Sequence, residues 1–381
     1  MYIENKIDEF VNKYSGQLPE FTKKIFLNDK NCIKKTYNLN NFSKTNIVLN
    51  YAEKNQSIFN YIFNCTVNET IFFLNQPIDF FISRLEEMKL NNKKIIIPFE
   101  NDVLFENVYY KKLVYIVFLY LGIQRKIIYY LQEKYVDFNS QYGKISIDFY
   151  NSKTYSMSHP LSMTRLKNYL NRISENLNLI KNNHINLKEE VKILRDDIIN
   201  FKIFFYNNNF LDDSEKKTYF YINLYDQNYE KNILINIERV EKIENYAQNP
   251  PYINISSYYS LGNKSISLES RKNLLGIMVK ILYILDTIKN TKNEELNIKD
   301  CILSFYYILI LLMPFKLGTA SIAEMILHSL WRFYLNKKII INKNTMIDVE
   351  ALTLPYSLFK NNCFANEENN KYVPYFEEID L

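Results

Sequence analysis

The most regular hydrophobic pattern lies in the last third of the chain. From 267 onward apolar residues recur at helical spacing in three blocks, 267–290, 297–313 and 321–336, with the polar loop NTKNEELN between the first two. A short strand, KKIIIN at 337–342, and a helix around 348–360 are expected next. The tail EENNKYVPYFEEIDL, acidic at its end, reads as loosely held. Earlier, 105–136 is long, strongly apolar and helical in pattern. Residues 67–90 form a helix with an interruption near Pro77, and 1–15 a short amphipathic helix.

Alternation predicts strands elsewhere. KTYFYINLYD (217–226) and KNILINIERVEK (231–242) form a β-hairpin across QNYE. KKIIIPF (93–99) reads as a buried strand ending at Pro98, KISIDFY (144–150) as a strand, and TNIVLNY and SIFNYIF within 35–65 as short strand-like pieces. Helices are expected over 164–183 and 187–205. The stretch 243–266, with Pro250, Pro251 and Gly262, reads as a long connection. The fold class is therefore α+β. A mixed N-terminal region spans 1–150, a helical pair with the hairpin spans 151–265, and a mostly helical C-terminal module spans 266–381.

Composition narrows the function classes. The 381 residues hold six glycines, against about 27 at average usage. Phosphate loops need two or three glycines within a few residues, and here they are scattered, so no Walker, dinucleotide or kinase-type loop exists. The 32 tyrosines and 26 phenylalanines accompany heavy use of Asn, Ile and Lys, the signature of AT-rich codons. The net charge of +5 is mild. The basic residues Lys111, Lys112, Arg125, Lys126 and Lys134, interleaved with Tyr109, Tyr110, Tyr129 and Tyr130, do not share one stripe of a helix, which disfavours nucleic acid as a partner. The four cysteines and three histidines are dispersed, so no metal or cofactor is called for. The longest uncharged apolar runs, 113–123 and 301–315, are shorter than a membrane span. The N-terminus carries no basic-then-apolar signal pattern. A cytoplasmic setting, or delivery into a host cell without a signal peptide, is expected.

The most specific local feature is MPFKLGTASIAE at 313–324. A buried helix runs into Pro314, Gly318 permits a turn, and Ser321-x-x-Glu324 reads as a capping box opening the next helix. A helix N-terminus at such a turn suits an anion. Lys316, Gly318, Thr319, Ala320 and Ser321 are the candidate phosphate-binding residues. The run resembles a degenerate form of the Fic family motif, H-P-F-x-[DE]-G-N-G-R, through Pro314, Phe315 and Gly318. That resemblance implies a nucleotide-phosphate loop between two helices and transfer of AMP or a related group to protein hydroxyls. Met313 stands at the general-base His, Leu317 at the magnesium-binding acid, Ala320 at the second glycine and Ser321 at the phosphate-binding arginine. Met and Leu accept no proton and hold no metal, so ordinary AMP transfer by this loop is not expected.

Other candidates carry less. His159, before Pro160, sits at an expected helix boundary. His328 follows Glu324 at i+4 spacing. Glu189, Glu190, Asp196 and Asp197 lie on one helical face that Lys188, Lys192 and Arg195 neutralise. The sequence thus points to a non-catalytic interaction or structural protein with a protein partner, an effector or a component of an assembly. The alternative is a transferase-like enzyme or pseudoenzyme that binds a nucleotide at 314–324.

Overall fold

The computed structural model describes residues 51–91, 95–132, 142–146, 149, 155–160, 172, 175, 201–206, 217–226, 229–240, 252–259, 268–289, 294–342, 345–354, 356–364 and 374–381. The chain divides into two compact units, Met1–Lys144 and Ile145–Leu381. It is an α+β protein in which most described residues outside the sheets are helical. The expected helix at 1–15, most of 164–183, and 187–200 with its acidic face lie outside the described residues.

In the first unit, α1 (Tyr51–Leu74) and α2 (Ile78–Asn91) are separated by a turn at Pro77, as the sequence indicates. Pro77 lacks an amide proton, and its ring fits the start of a helix better than its middle. The expected strand SIFNYIF lies inside α1. Its β-branched and aromatic residues favour strand locally, but they are carried in one uninterrupted helix whose buried positions recur at helical spacing. KKIIIPF is also not a strand: residues 95–97 are irregular and Pro98–Glu100 form a turn. Phe99 there has φ 53°. Ile97, Pro98 and Phe99 are buried in succession while Ile96 is exposed, so burial does not alternate here, and no described strand pairs with the segment.

The long apolar helix is present, in pieces. Asp102 accepts from the Leu104 amide to cap α3 (Val103–Glu106), and Asn107 accepts from the Tyr109 amide to cap α4 (Val108–Leu113). The chain then runs as a π-helix over Val114–Leu121 and returns to α-helix in α5 (Gly122–Gln132). All eight π-helical residues are buried. Around them Phe73, Phe80, Phe81, Tyr115 and Tyr120 pack edge to face, with centroids 4.9–6.0 Å apart. The aromatic richness of this unit thus serves its core. Tyr120 donates to the buried Glu69. Burial and that carboxylate raise the Tyr120 phenol well above its ordinary pKa.

The second unit holds a five-stranded antiparallel sheet in the order β1-β5-β4-β3-β2. Its strands are β1 (Tyr155–Pro160), β2 (Phe201–Tyr206), β3 (Lys217–Asp226), β4 (Tyr229–Val240) and β5 (Tyr252–Tyr259). The predicted hairpin is β3–β4, with Asp226 opposite Tyr229. Three expectations change here. His159 and Pro160 lie in β1, opposite Ile253 and Tyr252, and not at a helix boundary. Residues 201–206 are strand and not the end of a helix. The long connection contains β5, a strand between β1 and β4; its Asn and Ser residues interrupt the apolar alternation that marks strands.

The helical module follows as α6 (Leu268–Ile288), α7 (Glu295–Leu312) and α8 (Thr319–Leu335), each close to its expected span. A strand β6 (Lys337–Ile341) follows α8. The helix expected at 348–360 is two helices, α9 (Ile347–Thr353) and α10 (Tyr356–Cys363), with Leu354 extended before Pro355. Of KISIDFY, Lys144–Ser146 and Phe149 are described, and they form no strand: Ile145 makes a single antiparallel bridge, to Phe315. The acidic tail is not loose over its last residues. Phe376–Asp380 form β7, antiparallel to β6, and Tyr375 and Phe376 are buried.

Candidate functional site

The corner between α7 and α8 is built by two left-handed residues. Met313 ends α7 at φ 41°, its amide donating to the Leu309 carbonyl at 3.2 Å. Gly318 precedes α8 at φ 91°. A left-handed residue other than glycine is uncommon, so Met313 is held by its surroundings. It is buried, as are Pro314 and Phe315. The Pro314 carbonyl accepts from the Ser146 amide at 3.0 Å. The 313–315 half is therefore a packed corner, braced by residues 145–146.

The 316–321 half is more open. Lys316, Leu317, Gly318, Ala320 and Ser321 are half-buried. The expected capping box is not formed. Gly318 is the N-cap, its carbonyl accepts from Ile322 at 3.1 Å, and Ser321 is the third helical residue. The left-handed turn at glycine delivers the chain into helical geometry sooner than a serine cap would. No side chain caps α8, so its first amides have no partner within the helix. Thr319, the first helical residue, is only 5% exposed, and its hydroxyl has no hydrogen-bond partner. Buried hydroxyls are usually paired. The structure therefore brings the predicted residues together around a helix N-terminus. The side chains at Met313, Leu317 and Ser321 offer no proton acceptor of the imidazole kind, no carboxylate and no guanidinium.

His328 lies three turns along α8. Burial and the nearby Arg332 lower its pKa to about 4, so it is neutral at neutral pH. Among the described residues no group of three or more His, Cys, Asp and Glu could hold a metal ion. No helix among them is long and apolar enough to cross a membrane.

A second surface went unread in the sequence because the tail was expected to be loose. In the β6–β7 ribbon Ile339 and Phe376 turn inward, and Glu378 accepts from Trp331 Nε1 at 3.0 Å and pairs with Lys299 at 2.7 Å. Glu295 joins this frame through Lys299 at 2.9 Å and Lys337 at 2.6 Å. The outward face carries Lys338 opposite Ile379 and Ile340 opposite Glu377. Ile340 is 49% exposed, Ile379 41% and the following Leu381 52%. No described strand pairs with the outer edge of either β6 or β7. In YFEEIDL only Ile379-Asp380-Leu381 alternates, too little to mark a strand.

No family model, no curated protein and no solved structure matches the chain.

Proposed function

We propose that this chain is a non-catalytic interaction protein that receives an extended segment of a protein partner along the outer edge of β7. The observation that carries this reading is the exposed apolar pair Ile340 and Ile379 on a two-stranded ribbon whose outer edges no described strand pairs with. An open edge supplies backbone donors and acceptors, and side chains at alternate positions supply selectivity. Native proteins usually blunt such edges. Here the outward residues of β7 are Glu377 and Ile379, two positions apart on one face, so the complementary segment carries a basic and an apolar residue two positions apart. Anchoring of Glu378 by Lys299 and Trp331 keeps the ribbon fixed for docking.

The test is fluorescence anisotropy with a labelled Lys/Val decapeptide of repeating Lys-Thr-Val-Thr order, which sets Lys and Val alternately along one face, and a Glu/Val control with Glu in place of each Lys. The Lys/Val peptide is expected to bind at least tenfold more tightly. The double variant Glu377→Lys, Ile379→Asn is expected to lose that preference at an unchanged melting midpoint, since both side chains face outward. Equal affinity for the two peptides, no binding, or full binding by the folded double variant sinks the reading.

Thr319 supports a second reading: a phosphate or nucleotide ligand at Lys316–Ser321, taken by the open amides of α8 and the unpaired hydroxyl. With 5 mM nucleotide and a dissociation constant near 100 µM, mass action stabilises the protein by about 2.3 kcal/mol. A thermal shift with ATP, ADP or AMP, abolished by Lys316→Glu, is the expected result. No shift with any nucleotide removes this reading.

A further inference from the structure

The outward face of the β6–β7 ribbon carries four exposed side chains at the corners of a rectangle. Lys338 stands opposite Ile379, and Ile340 opposite Glu377. Neighbours across the strands are roughly 5 Å apart, and next-but-one residues along a strand roughly 7 Å. The two isoleucines therefore occupy one diagonal, and Lys338 and Glu377 the other. The inward charges of the ribbon are paired: Lys337 with Glu295 at 2.6 Å and Glu378 with Lys299 at 2.7 Å. Outward, Lys338 and Glu377 form no ion pair with a described residue. The buried Ile339 and Phe376 hold the ribbon in place beneath them.

Two copies of this face can meet about a two-fold axis lying in the plane between them. An axis along the strands sets Lys338 over Ile379 of the second copy. An axis across the strands sets Lys338 over Ile340. Both press a charge against hydrocarbon. An axis along the Lys338–Glu377 diagonal sets like charges against each other. An axis along the Ile340–Ile379 diagonal sets each isoleucine over its own equivalent, and sets Lys338 over Glu377 of the second copy, twice. Only this arrangement matches apolar with apolar and cation with anion. The strands of the two ribbons then cross at a steep angle, as in orthogonal sheet packing.

We propose that the outward face of the β6–β7 ribbon is a self-association surface for a second copy of this chain, docked about the Ile340–Ile379 diagonal. It shares Glu377 and Ile379 with the edge reading above but does not depend on it, since side chains of the face are covered here and the backbone edge of β7 there. Four side chains from each copy make a contact smaller than a standard interface, so the dimer is weak and reversible, with a dissociation constant on the order of 100 µM. Its closed symmetry stops assembly at two copies.

The test is sedimentation equilibrium of the full chain without peptide, from about 10 µM to about 1 mM, a range that brackets the expected constant. Wild type is expected to follow a monomer–dimer equilibrium. Lys338→Glu and Glu377→Lys each place like charges at both charged corners, and each is expected to weaken dimerisation about tenfold or more. The double variant Lys338→Glu, Glu377→Lys restores opposite charges under the same axis and is expected to return to within about threefold of wild type. That recovery separates lost contact from lost fold. Ile340→Asn, on the apolar diagonal, is expected to weaken dimerisation as well. Lys338 lies on β6, away from the outer edge of β7, so Lys338→Glu is expected to keep the preference for the Lys/Val peptide; self-association and edge docking can thus fail separately. A wild-type monomer throughout the range, unchanged association in either single reversal, no recovery in the double variant, or growth beyond the dimer overturns the proposal.

Discussion

Single atoms decide two outcomes in α8. The Thr319 hydroxyl is buried without a partner, and an unmet buried polar group costs about 1–3 kcal/mol. Thr319→Val keeps the shape and removes the hydroxyl. Without ligand it is expected to raise stability by about 1 kcal/mol in urea denaturation, while weakening any phosphate held at the corner. A loss of stability would show that the hydroxyl is satisfied in solution. His328 gives a pH-dependent outcome. Its folded pKa, about 4, lies below the ordinary histidine value. Its contribution is therefore complete above about pH 6.5 and is lost as pH falls towards 4, because the unfolded state takes up the proton first. His328→Gln is expected to flatten the melting-midpoint profile between pH 6.5 and 4.5 relative to wild type. Superimposable slopes for the two proteins would refute that assignment.

At the scale of elements, glycine separates what the sequence discloses from what it hides. Gly122 and Gly276 both interrupt apolar helical runs, and both suggest close packing or a bend. The structure distinguishes them. Gly122 meets the backbone of Gly143, whereas a Cβ added at Gly276 would have nothing within 4 Å. Gly276→Ala is therefore expected to stabilise by about 0.5–1 kcal/mol, the helix-propensity difference alone. Gly143→Ala is expected to destabilise by about 3 kcal/mol, from a left-handed φ and a backbone clash together. Comparable urea midpoints for the two variants would contradict the contrast. The helices α6, α7 and α8 were legible because their periodicity is long and uninterrupted. The corner was legible as a turn because Pro314 and Gly318 constrain backbone geometry directly. Its helix start was placed two residues late because Ser321 offers a good cap that glycine makes unnecessary. SIFNYIF and KKIIIPF misled because short apolar runs fit strand and helix equally until neighbours are known. The π-helical stretch at 114–121 carries no sequence mark, since its apolar residues would be buried in an α-helix too. The β7 strand and the approach of Gly143 to Gly122 depend on contacts between distant segments, which no local pattern contains.

Across the second unit, segments far apart in sequence meet at Glu350. It is fully buried on α9, accepts from Tyr375 at 2.6 Å and pairs with Arg172, 178 positions earlier. Asn362 of α10 donates to the Tyr375 hydroxyl at 3.1 Å. Burial and the neighbouring Glu350 carboxylate raise the Tyr375 phenol, and burial together with Glu350 raises the Cys363 thiol. One carboxylate thus ties the segment around 172 to α9, and through Tyr375 to α10 and the start of β7. Replacing both members of a buried pair with apolar groups can be nearly neutral, but removing one strands the other. The two single variants therefore strand different partners. Glu350→Ala leaves a partly exposed Arg172, which can turn to Glu175, its second partner at 3.0 Å, but it also strips Tyr375 of its acceptor and opens a cavity. Arg172→Met leaves a buried carboxylate with Tyr375 still donating to it. Each is expected to cost about 3–5 kcal/mol. The double variant Glu350→Leu, Arg172→Met is expected to recover part of that loss, because no charge is then left buried. Urea denaturation of the three proteins checks it. Additive losses in the double variant would mean that the pair acts as two independent contacts and not as the link between these segments.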